Sequence, residues 1–295
     1  MALATNATIG SDEALCFACQ ECGANLTMPA GVRTTVCPYC AAPSVVERPP
    51  SADRPRPAYV VGFVLTKDRA QKNVRDWLAR RSVFARGDFK AAKLEDVRAV
   101  YLPCYLYGAE AHSQYRAEIG ENYTVTTADS KGRTRTTTHT EWRALEGGHA
   151  SYVVDKVVTA SRGIPNDELE TIEPFDLRAL VRYAPAMVAG WMAEEPSLSR
   201  DDCYALARRE AQEQLARDLR AFLPGDKQRN LHFDSRVQNE YTDLTLLPVW
   251  VLSARYHPDQ PPTRLLVNGQ TGNVGGRGAY SWRKISLAAL LAAAL

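Results

Sequence analysis

Apolar residues recur with strand and helix spacings through the first part of the chain. The run 59–65 is almost wholly apolar and predicts a buried strand, and the next residue, Thr66, is of a type that caps helices. The helix that follows places its apolar residues on one face: Ala70, Val74, Trp77 and Leu78. A second strand is predicted over 99–107. Pro103 within it favours an edge or bulged position, because proline has no N–H to donate.

The middle of the chain is rich in threonine and predicts extended hairpin arms. Strands are predicted over 115–127 and 133–145, on either side of a turn-forming run at 129–132, and a third strand over 151–158. Three basic residues lie at the tip of this hairpin: Lys131, Arg133 and Arg135. They would suit contact with an acidic surface, but isolated surface charges are common, so a solubilising role is preferred.

The second half of the chain follows the same order of elements. A strand is predicted over 186–192, followed by a helix that Ser199 caps with Asp202 at its third position. The apolar stripe of this helix consists of Cys203, Ala207, Ala211, Leu215, Leu219 and Phe222, and Pro224-Gly225 ends it. The strand 246–252 then has the same Leu-Pro-x-aromatic-aliphatic order as 101–107. This similarity between the two strands predicts an internal duplication, with a chance Leu-Pro match as the alternative.

A glycine-containing run at 267–274 predicts a hairpin turn between two short strands. Gly269 and Gly272 are expected to supply positive φ angles there. Phosphate binding by this run is disfavoured, because no Lys-Ser/Thr pair and no clear helix start follow it.

Two cysteine pairs carry the clearest chemical signal. A tight Cys-x-x-Cys turn lets both sulfurs face one tetrahedral metal ion, and two such turns complete a closed site. The pairs are Cys19-Cys22 and Cys37-Cys40, with 14 residues between them. This spacing predicts a zinc ribbon holding one structural Zn²⁺, with a redox dithiol or disulfides as the alternatives. The predicted fold class is therefore α+β, a small β zinc ribbon joined to a larger mixed domain.

Three further cysteines affect the ligand set and the compartment. Cys16 and Cys19 are also spaced as a Cys-x-x-Cys pair, so Cys16 is an alternative ligand. Cys104 lies in an apolar strand and Cys203 on a helix stripe, so both are expected to be small core residues. The total of 7 cysteines is odd and no secretory signal precedes them, which predicts a reducing cytoplasm.

Composition and charge predict a folded protein with little attraction for polyanions. Residues are 45% hydrophobic and 24% charged, and the net charge is +2. The charged residues of the ribbon cancel: Glu21, Arg33, Glu47 and Arg48. Four thiolates against the two charges of Zn²⁺ would leave the ribbon negative. Nucleic-acid affinity rests largely on Lys and Arg, so it is disfavoured here.

The chain is predicted to consist of five segments. They are a flexible leader (1–15), the zinc ribbon (16–48), a proline-rich linker (49–57), an α+β domain (58–280) and an apolar tail (281–295). The halves of the duplicated domain would cover about 58–160 and 184–280.

The tail ends in eleven uncharged residues, 285–295, after Arg283 and Lys284. As a helix this run would reach about 16 Å, against a hydrocarbon core of about 30 Å, so it cannot span a bilayer by itself. It is interpreted as the start of a truncated transmembrane helix, a short anchor, or a terminal helix packed on the core. Insertion would leave the preceding domain on the cytoplasmic side.

The order of these motifs resembles that of the bacterial TFIIB-type zinc-ribbon proteins. The shared parts are the ribbon, the strands 102–107 and 247–252, and the Asn-Gly-Gln-Thr-Gly run 268–272, over a match from Cys19 to about Lys284. Such proteins often carry a misleading label as primosomal protein N′ or replication-factor-Y-like helicases. The resemblance implies zinc at Cys19, Cys22, Cys37 and Cys40, and no established enzyme activity. Ala41 replaces the usual glycine, which would loosen the second cysteine turn.

The sequence contains no recognisable catalytic constellation. A helicase needs a Gly-Lys-Ser/Thr phosphate loop, and none is present. The histidines are scattered: His112, His139, His149, His232 and His257. The adjacent carboxylates Glu194-Glu195 and Asp201-Asp202 are interpreted as negative charges flanking a helix start, where they favour the positive end of the helix dipole.

These observations favour a non-enzymatic zinc-ribbon adaptor or scaffold that makes protein–protein contacts. We expect a cytoplasmic protein with a protein partner and no small-molecule substrate, and the tail 285–295 offers association with the cytoplasmic face of the membrane. The alternative is a nucleic-acid-binding zinc-ribbon protein in transcription or replication, and an enzyme acting through a hidden cleft ranks third.

Overall fold

Strands dominate the fold, and three of them are unusually long. The computed structural model describes residues 15–28, 36–43, 45–48, 55–80, 91–128, 134–256 and 262–276. The strands are β1 (Leu15–Cys19), β2 (Asn25–Met28), β3 (Val45–Arg48), β4 (Tyr59–Val60), β5 (Lys93–Ala128), β6 (Thr134–Thr159), β7 (Val181–Arg182), β8 (Met192–Glu195), β9 (Lys227–Arg255), β10 (Thr263–Asn268) and β11 (Val274–Gly276). The α-helices are α1 (Lys67–Ala79), α2 (Asn166–Glu170) and α3 (Arg200–Phe222), and short 3₁₀ turns cover Leu177–Ala179 and Pro185–Met187. The fold is thus mixed α and β, with few helices.

The described residues form two compact units that alternate along the chain. Unit 1 comprises the residues up to Tyr105, Val158–Cys203 and the residues from Asp243 onward. Unit 2 comprises Leu106–Val157 and Tyr204–Thr242. The chain therefore passes between the units within β5, β6, α3 and β9. The predicted segment boundaries and the duplication remain predictions.

The sheet of unit 1 takes in the cysteine-bearing strands. Its strand order is β11-β10-β9-β5-β8-β2-β1-β3. β2 and β8 pair antiparallel, with Asn25 opposite Glu195 and Thr27 opposite Ala193. β8 in turn pairs parallel with β5, with Val100 opposite Met192. The N-terminal strands thus extend the main sheet through backbone hydrogen bonds.

Helix α1 covers one apolar part of this sheet. Thr66 caps it as predicted, with its hydroxyl accepting a hydrogen bond from the Arg69 N–H. The predicted face is buried at Ala70, Val74 and Leu78. It packs with buried residues of β9 and β10: Trp250, Leu252, Ala254, Leu265 and Val267. Removal of this apolar surface from water is the main stabilising contribution of the helix.

The β10–β11 hairpin confirms the predicted turn and explains its polar residues. Asn268 is fully buried, its amide donates to the carbonyls of Ile172 and Pro174, and its Oδ1 accepts the N–H groups of Gln270 and Thr271. The Gln270 side chain bonds both the N–H and the C=O of Asp176. The side chains of Asn268 and Gln270 therefore join the hairpin to the loop 172–176 by hydrogen bonds.

The two glycines of that turn differ from expectation in one respect. Gly272 has a φ of 83°, as predicted, whereas Gly269 is not among the residues with positive φ. A Cβ at Gly269 would lie 2.7 Å from the Phe63 ring and 2.9 Å from the Pro248 Cβ. The glycine at 269 is needed for close packing, and the prediction of a positive φ there is wrong.

Unit 2 contains the long antiparallel arms of β5, β6 and β9 together with most of α3. The predicted stripe of α3 is buried at Ala207, Ala211, Leu215 and Leu219, but Phe222 is 51% exposed, so its assignment to the core is wrong. Gly225 follows with a φ of 93°, and the next N–H, of Asp226, donates to the Gly120 carbonyl.

Several predicted strands have different bounds because tertiary pairing overrides local pattern. The apolar run 59–65 contributes only the two residues of β4, and Val64 is 70% exposed. The predicted strand 186–192 is mostly turns, and β8 begins at its last residue, Met192. The separate strands 133–145 and 151–158 are one continuous strand, β6. Pro103 lies in β5, which has neighbours on both sides in the sheet and is not an edge strand.

Some predictions concern residues outside the described ranges. These are nearly all of the leader 1–15, the part 49–54 of the linker, the hairpin tip 129–133 and the whole tail 281–295. Residues 55–57 of the linker form neither strand nor helix, as predicted. Within the described ranges, no helix combines the length and apolar character needed to cross a bilayer.

Candidate metal centre

The two Cys-x-x-Cys segments fold into turns with the same backbone hydrogen bonds. In the first turn the Gly23 N–H donates to the Cys19 carbonyl (3.0 Å). In the second turn the Ala41 N–H donates to the Cys37 carbonyl (2.9 Å). Gly23 has a φ of 73° and Ala41 a φ of 59°, so both turns need a left-handed residue directly after the second cysteine. This requirement explains why alanine at 41 is less suitable than glycine.

The four cysteine sulfurs meet in one cluster. All four Sγ atoms of Cys19, Cys22, Cys37 and Cys40 lie within 4.8 Å of one another. The Cys19–Cys40 Sγ distance is 3.6 Å and the Cys22–Cys37 distance is 3.7 Å. Four sulfurs at about 2.3 Å from one tetrahedral ion would lie roughly 3.8 Å apart. The cluster is therefore compatible with a zinc ribbon.

Cys16 lies outside this cluster. Its Sγ is 3.8 Å from the Thr27 hydroxyl and 3.9 Å from a carboxylate oxygen of Glu195. The structure thus brings together the four preferred ligands and leaves the alternative one in the flanking strand β1, as its place in the sequence suggested.

Hydrogen bonds and burial shift the pKa values of Cys22, Cys37 and Cys40 in different directions. A hydrogen bond from Cys22 lowers the pKa of Cys37 to about 5, and the backbone N–H groups of Cys40 and Tyr39 add to this effect. The same bond, together with burial, raises the pKa of Cys22. Burial raises the pKa of Cys40 to about 11. A thiolate is thus favoured at Cys37, and thiolates are the form that binds metal.

Tyr39, between Cys37 and Cys40, fixes the second turn to the sheet. Its side chain is almost fully buried, and its hydroxyl donates to Oε2 of Glu194 at 2.9 Å. The hydroxyl of Ser161 donates to Oε1 of the same carboxyl group at 2.7 Å. Burial raises the pKa of Glu194 to about 8, although these two hydrogen bonds act in the opposite direction.

The position of Glu194 corrects an interpretation made from the sequence. Glu194 and Glu195 do not flank a helix start; they are buried in strand β8, which pairs with β2 of the ribbon. Asp202 does lie in the first turn of α3, where its N–H donates to the Ser199 hydroxyl as predicted.

Arg264 of β10 provides a second attachment for the same turn. Its guanidinium donates to the backbone carbonyls of Tyr39 and Gly163, and it forms an ion pair with Glu168 at 2.6 Å. Gly163 lies against the Tyr39 ring, and a Cβ there would overlap that ring and lie 2.8 Å from the Ala24 Cβ. The ring therefore sits in a space that only glycine at 163 leaves open.

The other candidate residues are dispersed in the structure. His139 stacks on Tyr123 and His149 packs against Phe222, while His257 lies outside the described ranges. Cys104 and Cys203 are buried, and burial raises the pKa of both thiols, which suits their prediction as core residues. Within the described part of the chain, the cysteine cluster is the one group of His, Cys, Asp or Glu arranged to hold a metal.

Sequence reasoning missed the residues that support the second turn. Glu194 is 155 positions from its partner Tyr39, and Arg264 is 225 positions away. No local pattern links such distant residues. The aromatic residue between the two cysteines was the single available signal, and it does not identify its partner.

One known protein is similar to this chain over much of its length. It is "Uncharacterized protein YdjG" of Bacillus subtilis (strain 168), 24% identical over 234 residues. The alignment covers 78% of this chain and 66% of that protein, so this chain spans slightly less than two thirds of its relative. No protein-family model matches the chain, and no solved structure matches it either.

Proposed function

We propose that this chain is a TFIIB-type zinc-ribbon protein in which Cys19, Cys22, Cys37 and Cys40 hold one structural Zn²⁺. The observation that carries the proposal is the cluster of four sulfurs within 4.8 Å of one another. Two matching turns present these sulfurs, and four thiolates complete a tetrahedron with no position left for substrate. The chemistry of the donor set therefore favours a structural ion over a catalytic one.

The zinc content of the purified full chain tests this proposal directly. We expect one zinc ion per chain, and removal of the ion by a strong chelator should lower the melting temperature, because bound metal stabilises the folded state. Iron in place of zinc, or a protein that is metal-free and equally stable, would contradict it.

We further propose that the protein acts without catalysis, as a cytoplasmic adaptor that contacts another protein. Outside the ribbon, unit 1 exposes several large apolar side chains, and one of them, that of Trp191, stacks on Phe63 with the ring centroids 4.7 Å apart. These exposed residues are Val64, Val181, Met187 and Trp191. A group of exposed apolar side chains is a common feature of protein-contact surfaces. The ribbon, in contrast, has no net positive charge to attract nucleic acid.

Site-specific crosslinking would test the adaptor role. A photoreactive amino acid at Val64 should yield a discrete crosslinked protein in cells, whereas the same amino acid at the exposed Lys67 should not. Crosslinks to nucleic acid, or a salt-sensitive shift of a labelled duplex by the full chain, would instead support the nucleic-acid role. Association with membranes through 285–295 is a separate prediction, which fractionation of the full chain and of a chain ending at 284 would test.

A further inference from the structure

The second cysteine turn is placed in unit 1 by side chains as well as by the strand that follows it, β3, which pairs with β1. The described residues around it, 36–43, form no strand, whereas the first turn lies between the paired strands β1 and β2. Three contacts of Tyr39 attach the turn itself: its hydroxyl donates to Glu194, its carbonyl accepts from Arg264 and its ring packs on Gly163. The metal ligands Cys37 and Cys40 lie on either side of this one anchored residue.

The Tyr39–Glu194 hydrogen bond connects the segment that contains Cys37 and Cys40 to a buried strand of the sheet. Glu194 belongs to β8, the strand that joins β2 of the ribbon to β5. Glu194 is 3% exposed, and its carboxyl group also accepts a hydrogen bond from Ser161. If the second turn moved away, the buried carboxyl group would lose the Tyr39 hydroxyl as a partner, which costs free energy. The Tyr39–Glu194 bond therefore stabilises the docked position of the turn.

We propose that Tyr39 and Glu194 are positioning residues of the metal centre, and that their bond couples zinc binding to docking of the second cysteine turn on strand β8. The proposal rests on the zinc site proposed above. Coupling between two equilibria is reciprocal. Zinc therefore strengthens the docking of the turn by the same factor by which docking strengthens zinc binding.

A double-mutant cycle with zinc affinity as the readout tests this coupling in the full chain. Competition with a chromophoric chelator gives the affinity of the wild type, Tyr39→Phe, Glu194→Gln and the double variant. Loss of a residue that supports metal ligands commonly costs about 10-fold or more in affinity, so we expect about 10-fold for Tyr39→Phe. Glu194→Gln should cost about threefold, because an amide has one acceptor oxygen, whereas the two carboxyl oxygens accept from both Tyr39 and Ser161.

The double variant decides whether the two residues act through one bond. If they do, it should bind zinc about as weakly as Tyr39→Phe alone, since that bond is already absent. Tyr152→Phe is the matched control, because Tyr152 is 72% exposed, and its affinity should equal that of the wild type. Unchanged affinity in Tyr39→Phe, or independent losses that multiply in the double variant, would overturn the proposal.

Hydrogen exchange supplies a readout that a merely local defect would not change. In the wild type, removal of zinc should speed amide exchange in 36–43 and also in Met192–Glu195. In Tyr39→Phe, removal of zinc should still affect 36–43 but no longer change β8. If the wild type binds no zinc, the proposed function fails together with this inference. If the wild type binds one zinc ion but amide exchange in β8 does not change when zinc is removed, the proposed coupling is wrong and the proposed zinc site stands.

Discussion

The two cysteine turns have the same backbone hydrogen bonds but depend on different kinds of support. The first turn has glycine at its left-handed position, Gly23, and continues directly into paired strands. The second turn has Ala41 at the equivalent position, and its own Tyr39 bonds to Glu194 and Arg264, in addition to the pairing of the following strand β3 with β1. An alanine in this conformation costs about 1 kcal/mol relative to glycine. Local sequence thus suffices for the first turn, while the second needs tertiary contacts.

Substitution of a cysteine ligand should have the largest effect on zinc content and stability, and the effect should be the same in both turns. Cys22→Ser and Cys37→Ser are each expected to lose stoichiometric zinc, and the metal-linked stability of unit 1 with it, because a tetrahedral thiolate site tolerates no missing ligand. Metal analysis and thermal unfolding measure both quantities. Cys16→Ser is the control and should keep one zinc ion. Loss of zinc in Cys16→Ser alone would replace the proposed ligand set.

The free energy of unfolding of Glu194→Gln, measured over a pH series, would isolate the contribution of the carboxyl group that bonds to Tyr39 of the second turn. The carboxyl pKa is about 8 in the folded protein, against 4.5 as its ordinary value, so the folded state retains a proton that the unfolded state releases between these pH values. The free energy of unfolding of the wild type should therefore fall as pH rises through this window and level off above it.

The neutral variant should lack this contribution, so its stability relative to wild type should rise from about pH 5 to about pH 8.5. The change is on the order of 4 kcal/mol, since nearly three pKa units are covered in this window and each corresponds to about 1.4 kcal/mol. Denaturant unfolding at saturating zinc measures it, and the threefold difference in zinc affinity expected between the two proteins changes their relative stability by only about 0.7 kcal/mol. Parallel pH profiles would show that Glu194 does not titrate in this range.

Filling the space beside Tyr39 would test the packing of the second turn. Gly163→Ala places a methyl group against the Tyr39 ring and the Ala24 Cβ, so we expect a loss of about 1–3 kcal/mol in the free energy of unfolding. Gly62→Ala is the matched control, since a Cβ there meets nothing within 4 Å. Equal effects of the two substitutions would refute the packing account.

Exchanging the residues at the left-handed positions should give the smallest effects, with opposite signs. Ala41→Gly is expected to stabilise the protein by up to about 1 kcal/mol, and Gly23→Ala to destabilise it by about as much or more. In the Gly23 variant the new Cβ would also lie 3.3 Å from the Arg162 side chain. Chemical unfolding at saturating zinc resolves such differences. Destabilisation by Ala41→Gly would mean that the alanine methyl group contributes packing that outweighs its backbone strain.

Local features of the fold were predictable wherever the residue types and spacing within a short segment determine its structure. The cap at Thr66, the apolar faces of α1 and most of α3, the β10–β11 turn and the four-cysteine cluster all follow from spacing and residue type. Strand bounds were less predictable. The apolar run 59–65 contributes only two strand residues, because hydrogen-bonding partners elsewhere in the chain decide where a strand ends.

The sequence by itself therefore determined that a site of four thiolates can form and what kind of ion it suits, while Cys16 remained an alternative ligand until the structure placed it outside the cluster. The tertiary structure decided how the site is attached: it inserted β8 between the ribbon and β5, and it brought Glu194 and Arg264 to Tyr39. The physical reason is that a tight turn is set by neighbouring dihedral angles. A buried carboxyl group, by contrast, is tolerated only where hydrogen-bond donors from distant parts of the chain converge on it.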